Sequence, residues 1–501
     1  MNSKWLPDIF YNWISAIGAL LSLMSFNVIV LLLLIDTFIL QSAPYLGILT
    51  FLVMPGFLVF GLILIAVGAF LARRQKSRLV PIFPSEIYIN LNNVRHRNSV
   101  IIWITCTTIL LLCTTVGTYT AYHATESVAF CGEVCHVVMQ PEFDAYQVSP
   151  HARVSCAECH IGSGAEWFVK AKLSGLHQVY AVLTNSYQTP IPTPLENLRP
   201  ARETCEQCHW PDKFFGGRKD VIPHFLADEA NTPYPLTMIL NIGGGGGEEG
   251  HAEGIHWHSS KTHHMEYAAT DHDRMDIVWV RMTNDDGSVI EYTQGGEPVP
   301  EEAFSEYDVR SIDCMDCHNR PSHNYRSPIR AVNRALHLGS IDISLPYIKR
   351  ESTIVLDQEY EDTPTALQAI EGHLKGFYQE EYPDIVESRS EAIQKSIEAV
   401  QEIFRDNIFP EMKVNWKAYP DHIGHSEFLG CFRCHGSELE SSDGKTISKD
   451  CSLCHVILSQ GVKSPGIMSA EGVTFRHPVD IDGAELEANC TECHEGGAEL
   501  Y

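Results

Sequence analysis

The sequence predicts a mainly α-helical chain with much irregular structure, in which three N-terminal transmembrane helices precede a large soluble region. Three observations carry that expectation. Three long stretches near the N-terminus hold no charged residue. The formal charge of −27 over 501 residues is unevenly divided, and fourteen of the sixteen cysteines fall in seven close pairs, each followed at once by histidine. The mean hydropathy of −0.08 reads as soluble only because it averages two unlike parts.

The charge-free stretches are Ile9 to Ile35, Thr37 to Ala72 and Asn98 to Thr125. Each can hold the roughly 20 apolar residues that cross a bilayer. Helices are expected near 14–35, 47–71 and 99–120, with Pro44 and Gly47 in the first turn and a kink at Pro55. A cleavable signal peptide fits less well, because the first stretch exceeds the usual apolar core of about 7–15 residues and no small-x-small site follows.

Orientation follows from the loop at 73–97, where Arg73, Arg74, Lys76, Arg78, Arg95 and Arg97 face one acid. The positive-inside rule puts that loop in the cytoplasm and everything after the third helix on the far side, which in a bacterium is the periplasm. Residues 1–125 carry seven basic and three acidic residues, net +4; the remaining 29 and 60 give 126–501 a net −31. So acidic a region does not neutralise phosphates, so nucleic acid is not an expected partner.

The cysteine pairs explain the irregular structure. They are Cys131–Cys135–His136, Cys156–Cys159–His160, Cys205–Cys208–His209, Cys314–Cys317–His318, Cys431–Cys434–His435, Cys451–Cys454–His455 and Cys490–Cys493–His494. Six have the C-x-x-C-H spacing of c-type haem attachment, and the first is one residue longer. Two thiols bind the two vinyl groups of one haem, and the adjacent imidazole becomes the proximal iron ligand. Zinc ribbons also use C-x-x-C pairs. They do not explain a histidine after every pair, in a chain with 24 histidines among 501 residues. Seven covalently bound haems c are therefore expected, attached outside the cytoplasm in agreement with the charge argument. Cys106 and Cys113 remain; seven residues apart, or about 10.5 Å along a helix, they cannot bridge.

Seventeen histidines lie outside the motifs. From residue 418 onward three motif histidines meet three others, so His422, His425 and His477 are expected as distal ligands of haems five to seven. Between haems three and four there are seven candidates: His224, His251, His256, His258, His263, His264 and His272. As a strand, this stretch would put His256 and His258 on one face and His263 and His264 on opposite faces. The run Gly243–Gly247 reads as a flexible loop and lacks the ending of a phosphate-binding loop.

The stretch WITCTTILLLC…FCGEVCHVVMQPEFDAYQVSPHARVSCAECHIGSG leads from a membrane helix into a first haem motif, a nearby Met, an S-x-H and a second motif. With RETCEQCHWP and SIDCMDCHNRPSH it resembles the NapC/NirT family of membrane-anchored, quinol-oxidising cytochromes. The whole chain looks like the inner-membrane heptahaem cytochromes of metal-reducing bacteria. The resemblance implies that His151, the His of S-x-H, is the distal ligand of haem four. It implies a Met ligand at haem one, for which Met139 is the first candidate and His136 the second. It also implies a quinol site beside haem one at the membrane surface, with a Lys after haem two. Lys170 and Lys172 match that place, and His177 and Gln178 stand where an acid is expected. Quinol oxidation releases two protons and two electrons, so a Lys to hold the ring oxygen and a titratable His177 suit it. Contact of both lysines with anionic lipid headgroups is the plainer alternative.

Residues 326–416 hold no haem motif. Leu367, Ile370, Leu374 and Phe377, after Thr363-Pro364, and Ile393, Ile397, Val400 and Phe404, after Ser390, follow helical spacing. The expected organisation is an anchor at 1–125, a tetrahaem domain at 126–330, a helical connector at 331–416 and a trihaem extension at 417–501. The expected function is menaquinol oxidation with relay to a soluble periplasmic c-type cytochrome whose basic face meets the acidic surface. The alternatives are a non-catalytic anchor subunit for a partner reductase and a multihaem terminal reductase.

Overall fold

The computed structural model describes residues 12–38, 54–74 and 90–498, apart from 135, 163–164, 196–197, 244–253, 261–262, 437–438, 462–468, 470 and 487. It forms two compact units. One comprises 1–127 and 156–179, the other 128–155 and 180–501. The second haem motif and most of the helix after it therefore cluster with the anchor.

In the first unit, α1 (Trp13–Phe38) and α2 (Met54–Arg74) are the two described helices long and apolar enough to cross a membrane. They pack antiparallel through small residues. Ser15 Oγ donates to Ile65 O at 3.1 Å and Ser22 Oγ to Leu58 O at 3.4 Å. A Cβ on Gly18 would lie 2.6 Å from Gly61 O, so only glycine permits this approach. Ser15 and Ser22 are buried while Leu23, Leu62 and Phe60 are exposed. That inverts a soluble helix pair and matches membrane packing, where small and polar residues hold helices together and apolar ones face lipid. Pro55, expected as a kink, is the second described residue of α2; residues 39–53, with Pro44 and Gly47, lie outside the described ones.

Helix α3 (Val94–Thr125) is 32 residues long, starts earlier than expected and includes Arg95 and Arg97. Its cap is Asn93, whose side chain accepts from Arg95 N at 3.0 Å. The side chains of Cys106 and Cys113 and most of the basic loop lie outside what is described.

The second unit opens with a π-helical turn, Phe130–Val134, and α4 (His136–Gln147). Helix α5 (Ala165–Thr184) begins in the first unit. Between haem motifs three and four the chain forms strands, which the sequence reading did not anticipate. Strands β1 (Arg218–Ile222), β2 (Leu236–Leu240) and β8 (His455–Gln460) make an antiparallel sheet in the order β1-β2-β8. Strands β3 (His263–Ala269), β4 (Ile277–Asn284), β5 (Val289–Gln294), β6 (Asp308–Ser311) and β7 (Leu439–Ser441) make a second, in the order β6-β3-β4-β5-β7. Residues 417–501 thus donate one strand to each sheet and share a compact unit with 180–416.

The largest apolar core belongs to the segment without haem motifs. There α6 (Pro328–Leu338), α7 (Ile348–Leu356), α8 (Thr363–Glu381) and α9 (Ser390–Asn407) bury Val332, Leu336, Ile370, Leu374, Ile397, Val400 and Phe404. Helices α8 and α9 match the periodicity. Asp362 caps α8 by accepting from Thr365 N at 2.8 Å, with Pro364 in the first turn. Of the expected α8 face, Ile370 and Leu374 are buried and Leu367 and Phe377 only partly so; Ala366 and Tyr378 complete it.

Candidate haem sites

Motifs two, four, five, six and seven lie on or begin on a short helical turn, and in motif three a helix ends at the first cysteine, Cys205. Cys156–His160 and Cys314–Cys317 are α-helical, and Cys451–Leu453 and Cys490–Glu492 are 3-10 turns. Positions i, i+3 and i+4 of a helix share one face, so both thiols and the imidazole address one side. In the longer first motif, Cys131 to Val134 lie on a π-helical turn, Phe130–Val134, wider than an α-turn. Gly132 is required there, because a Cβ would run into the Phe143 ring.

The described cysteines are all free of disulfides. Cys317 is exposed, yet burial pushes its thiol up to about 12. His160 has the same character, exposed but held below the usual imidazole range by burial. Among the described residues no three or more His, Cys, Asp or Glu converge on a metal-sized point.

Five motif histidines instead face a second imidazole. His209 and His151 have ring centroids 6.1 Å apart, His318 and His256 6.3 Å, His435 and His258 5.8 Å, His455 and His425 6.1 Å, and His494 and His477 5.9 Å. Two imidazoles on opposite sides of one metal, each nitrogen about 2 Å from it, put their centroids about 6 Å apart. The far nitrogens agree. Nδ1 lies against a backbone carbonyl in His151 (Pro321 O, 3.1 Å), His256 (Ile242 O, 2.8 Å), His258 (Ile255 O, 2.8 Å) and His477 (Val479 O, 2.8 Å). That bond fixes the tautomer and turns Nε2 toward a metal. The residues fit haem at these five sites.

Two sequence expectations change. His151 faces His209 of motif three, and His318 of motif four faces His256. Among the described residues His422 faces no motif imidazole. It is buried between two backbone carbonyls, Asp316 O at 3.0 Å from Nδ1 and Asp273 O at 2.9 Å from Nε2. Burial and the Arg433 guanidinium hold its pKa down to about 4, and both ring nitrogens are taken up by backbone carbonyls. His425 and His477 do face motif histidines, those of motifs six and seven. His256 and His258 were among seven undecided candidates, and they sit on a 3-10 turn, Ile255–Ser259, not a strand. His263 and His264 do lie on a strand, the first half-buried and the second exposed. Met139 is half-buried in the first turn of α4; Cys135, His251 and the side chain of His136 lie outside the described residues.

From motif three to motif seven, consecutive motifs are neighbours. The Cys205 and Cys314 thiols hydrogen-bond, Cys317 lies near Cys431 and Cys434, Cys454 near Cys431, and Cys490 near Cys451. Motifs three to seven therefore follow one another in space as in sequence. Arg433, inside motif five, donates to Arg274 O and to Asp316 O, both at 2.8 Å, and to Gly430 O at 2.9 Å. Asp316, inside motif four, accepts from Tyr267 Oη at 2.6 Å and Arg310 Nε at 3.2 Å. This buried polar network locks motifs four and five together.

In the first unit Lys172 Nζ donates to Thr125 Oγ1 at 3.2 Å and lies 3.7 Å from Glu126 Oε1, both at the C-terminal end of α3. Lys170 Nζ stands 4.6 Å over the Trp167 ring, and His177 is exposed. Glu126, the residue that follows α3, is thus an acid paired with Lys172. Sequence reading missed Glu126 because 46 positions separate it from Lys172, and nothing local marks it.

Paired cysteines beside facing imidazoles, on a chain with apolar membrane helices, define a membrane-bound c-type cytochrome that carries covalent haem c. The chain belongs to the NapC/NirT cytochrome c family, whose N-terminal region matches residues 93–193. It is 44% identical over 491 residues, 98% of this chain and 96% of the other, to the cytochrome c-type protein ImcH of Geobacter sulfurreducens. No solved structure matches it. The family and the apolar helices make it an inner-membrane, electron-transferring protein.

Proposed function

We propose that this cytochrome oxidises menaquinol at the outer face of the inner membrane. Electrons then pass through seven haems in the periplasm to a soluble c-type cytochrome. The observation that carries this reading is the cluster of Lys172, Thr125 and Glu126 where α5 meets the end of α3. In this reading α3 is a third membrane span, and at about 1.5 Å per residue its 32 residues are ample. Helix α5 shows an exposed apolar row, Leu173, Leu176, Tyr180 and Leu183, suited to an apolar quinol tail or lipid.

The residues divide the work as follows. Lys172 Nζ holds the quinol oxygen and favours the anionic form as its proton leaves. Glu126 Oε1 is buried and accepts no hydrogen bond, so it is the proton acceptor. Lys170 steadies α5 against Trp167, and His177 returns protons to water. Haem, where bound, supplies one-electron acceptors at each motif. With both paired imidazoles as ligands, a haem bound at motifs three to seven would have no open iron position, which disfavours a terminal reductase. Reduction of the purified chain by a menaquinol analogue tests the reading. Lys172→Ala and Glu126→Gln are each expected to slow haem reduction at least tenfold while dithionite still reduces every haem. Unchanged quinol-driven rates in both would reject it, and no quinol reduction of the unaltered chain would favour the anchor-subunit alternative.

A further inference from the structure

We propose that the single turn Ile255–Ser259 supplies the distal iron ligands of two neighbouring haems, His256 to the haem of motif four and His258 to the haem of motif five. The turn is 3-10, with three residues per turn, so side chains two positions apart diverge by about 120°. A strand would have aimed both at one point. Divergence is what two separate irons need. The facing histidines confirm the split, since His256 meets His318 and His258 meets His435.

The turn is held rigidly enough to serve both. Ile255 N donates to Asn241 O at 2.7 Å and His256 N to Ile242 O at 3.2 Å. The same Ile242 carbonyl also takes the His256 Nδ1 bond at 2.8 Å. Gly254 has φ +76° and a Cβ there would strike Asn241 O, so the approach depends on glycine. Asn241 is itself anchored on motif six: its N donates to Cys454 O and its side chain to Ser452 O, both at 2.8 Å. One short segment therefore ties the ligation of motifs four and five to the backbone of motif six. Phe214 packs 4.6 Å from the His256 ring and Trp257 5.6 Å from the His258 ring, which limits their rotation.

The two sites differ in ring orientation. His256 and His318 are nearly parallel, 9° between planes, while His258 and His435 are nearly perpendicular at 85°. Parallel imidazoles split the two iron d orbitals that π-bond with them and give a rhombic low-spin ferric signal. Perpendicular imidazoles leave those orbitals almost equal and give a large-gmax signal. Adjacent haems fed by one turn thus carry different spectroscopic labels.

Electron paramagnetic resonance of the oxidised full chain in detergent tests this. The inference rests on haem attachment at motifs four and five, which a haemochrome count checks separately, and not on quinol oxidation. His256→Ala is expected to remove one haem equivalent of rhombic signal, and His258→Ala one of large-gmax signal, each with the gain of one high-spin haem. If either alanine variant loses haem altogether, the His256→Met and His258→Met variants replace it, and each should show the charge-transfer band of one Met-ligated haem. Retention of the full low-spin set in both variants, or loss of the same signal in both, would overturn the assignment. So would methionine variants without a Met–haem band. His422→Ala serves as the control and should leave both signals in place.

Discussion

Replacing Arg433 by methionine removes the charge that joins motifs four and five while keeping most of the side-chain volume. Arg433 is buried and makes three hydrogen bonds of 2.8 to 2.9 Å, to Arg274 O, Asp316 O and Gly430 O. A hydrogen bond from a charged donor contributes about 1.5–3 kcal/mol, so the gross loss is about 4–9 kcal/mol. Burying the guanidinium costs several kcal/mol, and methionine avoids that cost. The Asp316 carbonyl also keeps its His422 contact at 3.0 Å. The net destabilisation expected is about 2–4 kcal/mol. Arg433→Lys should lose nearly as much, because an ammonium cannot hold three diverging carbonyls as a planar fork does. Guanidinium unfolding followed by Soret absorbance measures the change, and spectra at low denaturant show whether the perturbation stays at motifs four and five. A loss under about 0.5 kcal/mol for methionine, or lysine as stable as arginine, would refute the view that this network locks the two motifs.

Three further outcomes follow from the same geometry. Gly61→Leu should disrupt the α1–α2 pair, because even a Cβ would lie 2.5 Å from Ser22 Oγ, whereas Gly56→Leu has nothing within 4 Å; detergent melting of the two variants should differ by about 5 °C or more. Lys349 is 1% exposed and burial holds its pKa down to about 7, against about 10.4 unfolded. The unfolded chain therefore binds more protons between those values, so stability rises with pH from about 7 to about 10.4, by up to about 4–5 kcal/mol. Lys349→Met should be the more stable chain at pH 6 and lose that pH dependence in denaturant titrations. Finally, electron transfer to a basic soluble cytochrome should slow several-fold as salt rises from about 0.05 to 0.3 M, since an exposed net −31 steers such a partner and salt screens it. A rate flat with salt in stopped-flow would contradict acidic docking.

The sequence by itself determined the chemistry. Cys-x-x-Cys-His is a local pattern, and one helical turn is enough to present two thiols and an imidazole, so the attachment sites are legible without a fold. Charge-free stretches announce α1 and α2 for the same reason, because spanning depends on composition and length. Helices α8 and α9 were readable because their apolar faces pack on protein at a 3.6-residue period. The two sheets were not: β6 is four residues long and β7 three, and tail strands β7 and β8 find their partners 145 or more positions away. Only the tertiary structure decided which imidazole meets which motif. A distal ligand needs no neighbour in sequence, only a reach of about 6 Å across a cleft. His422 lies nearer motif five in sequence than His258 does, yet it packs between carbonyls while His258 faces His435 from 177 positions away. Glu126 joined Lys172 for the same reason: helices bring together what the chain keeps apart.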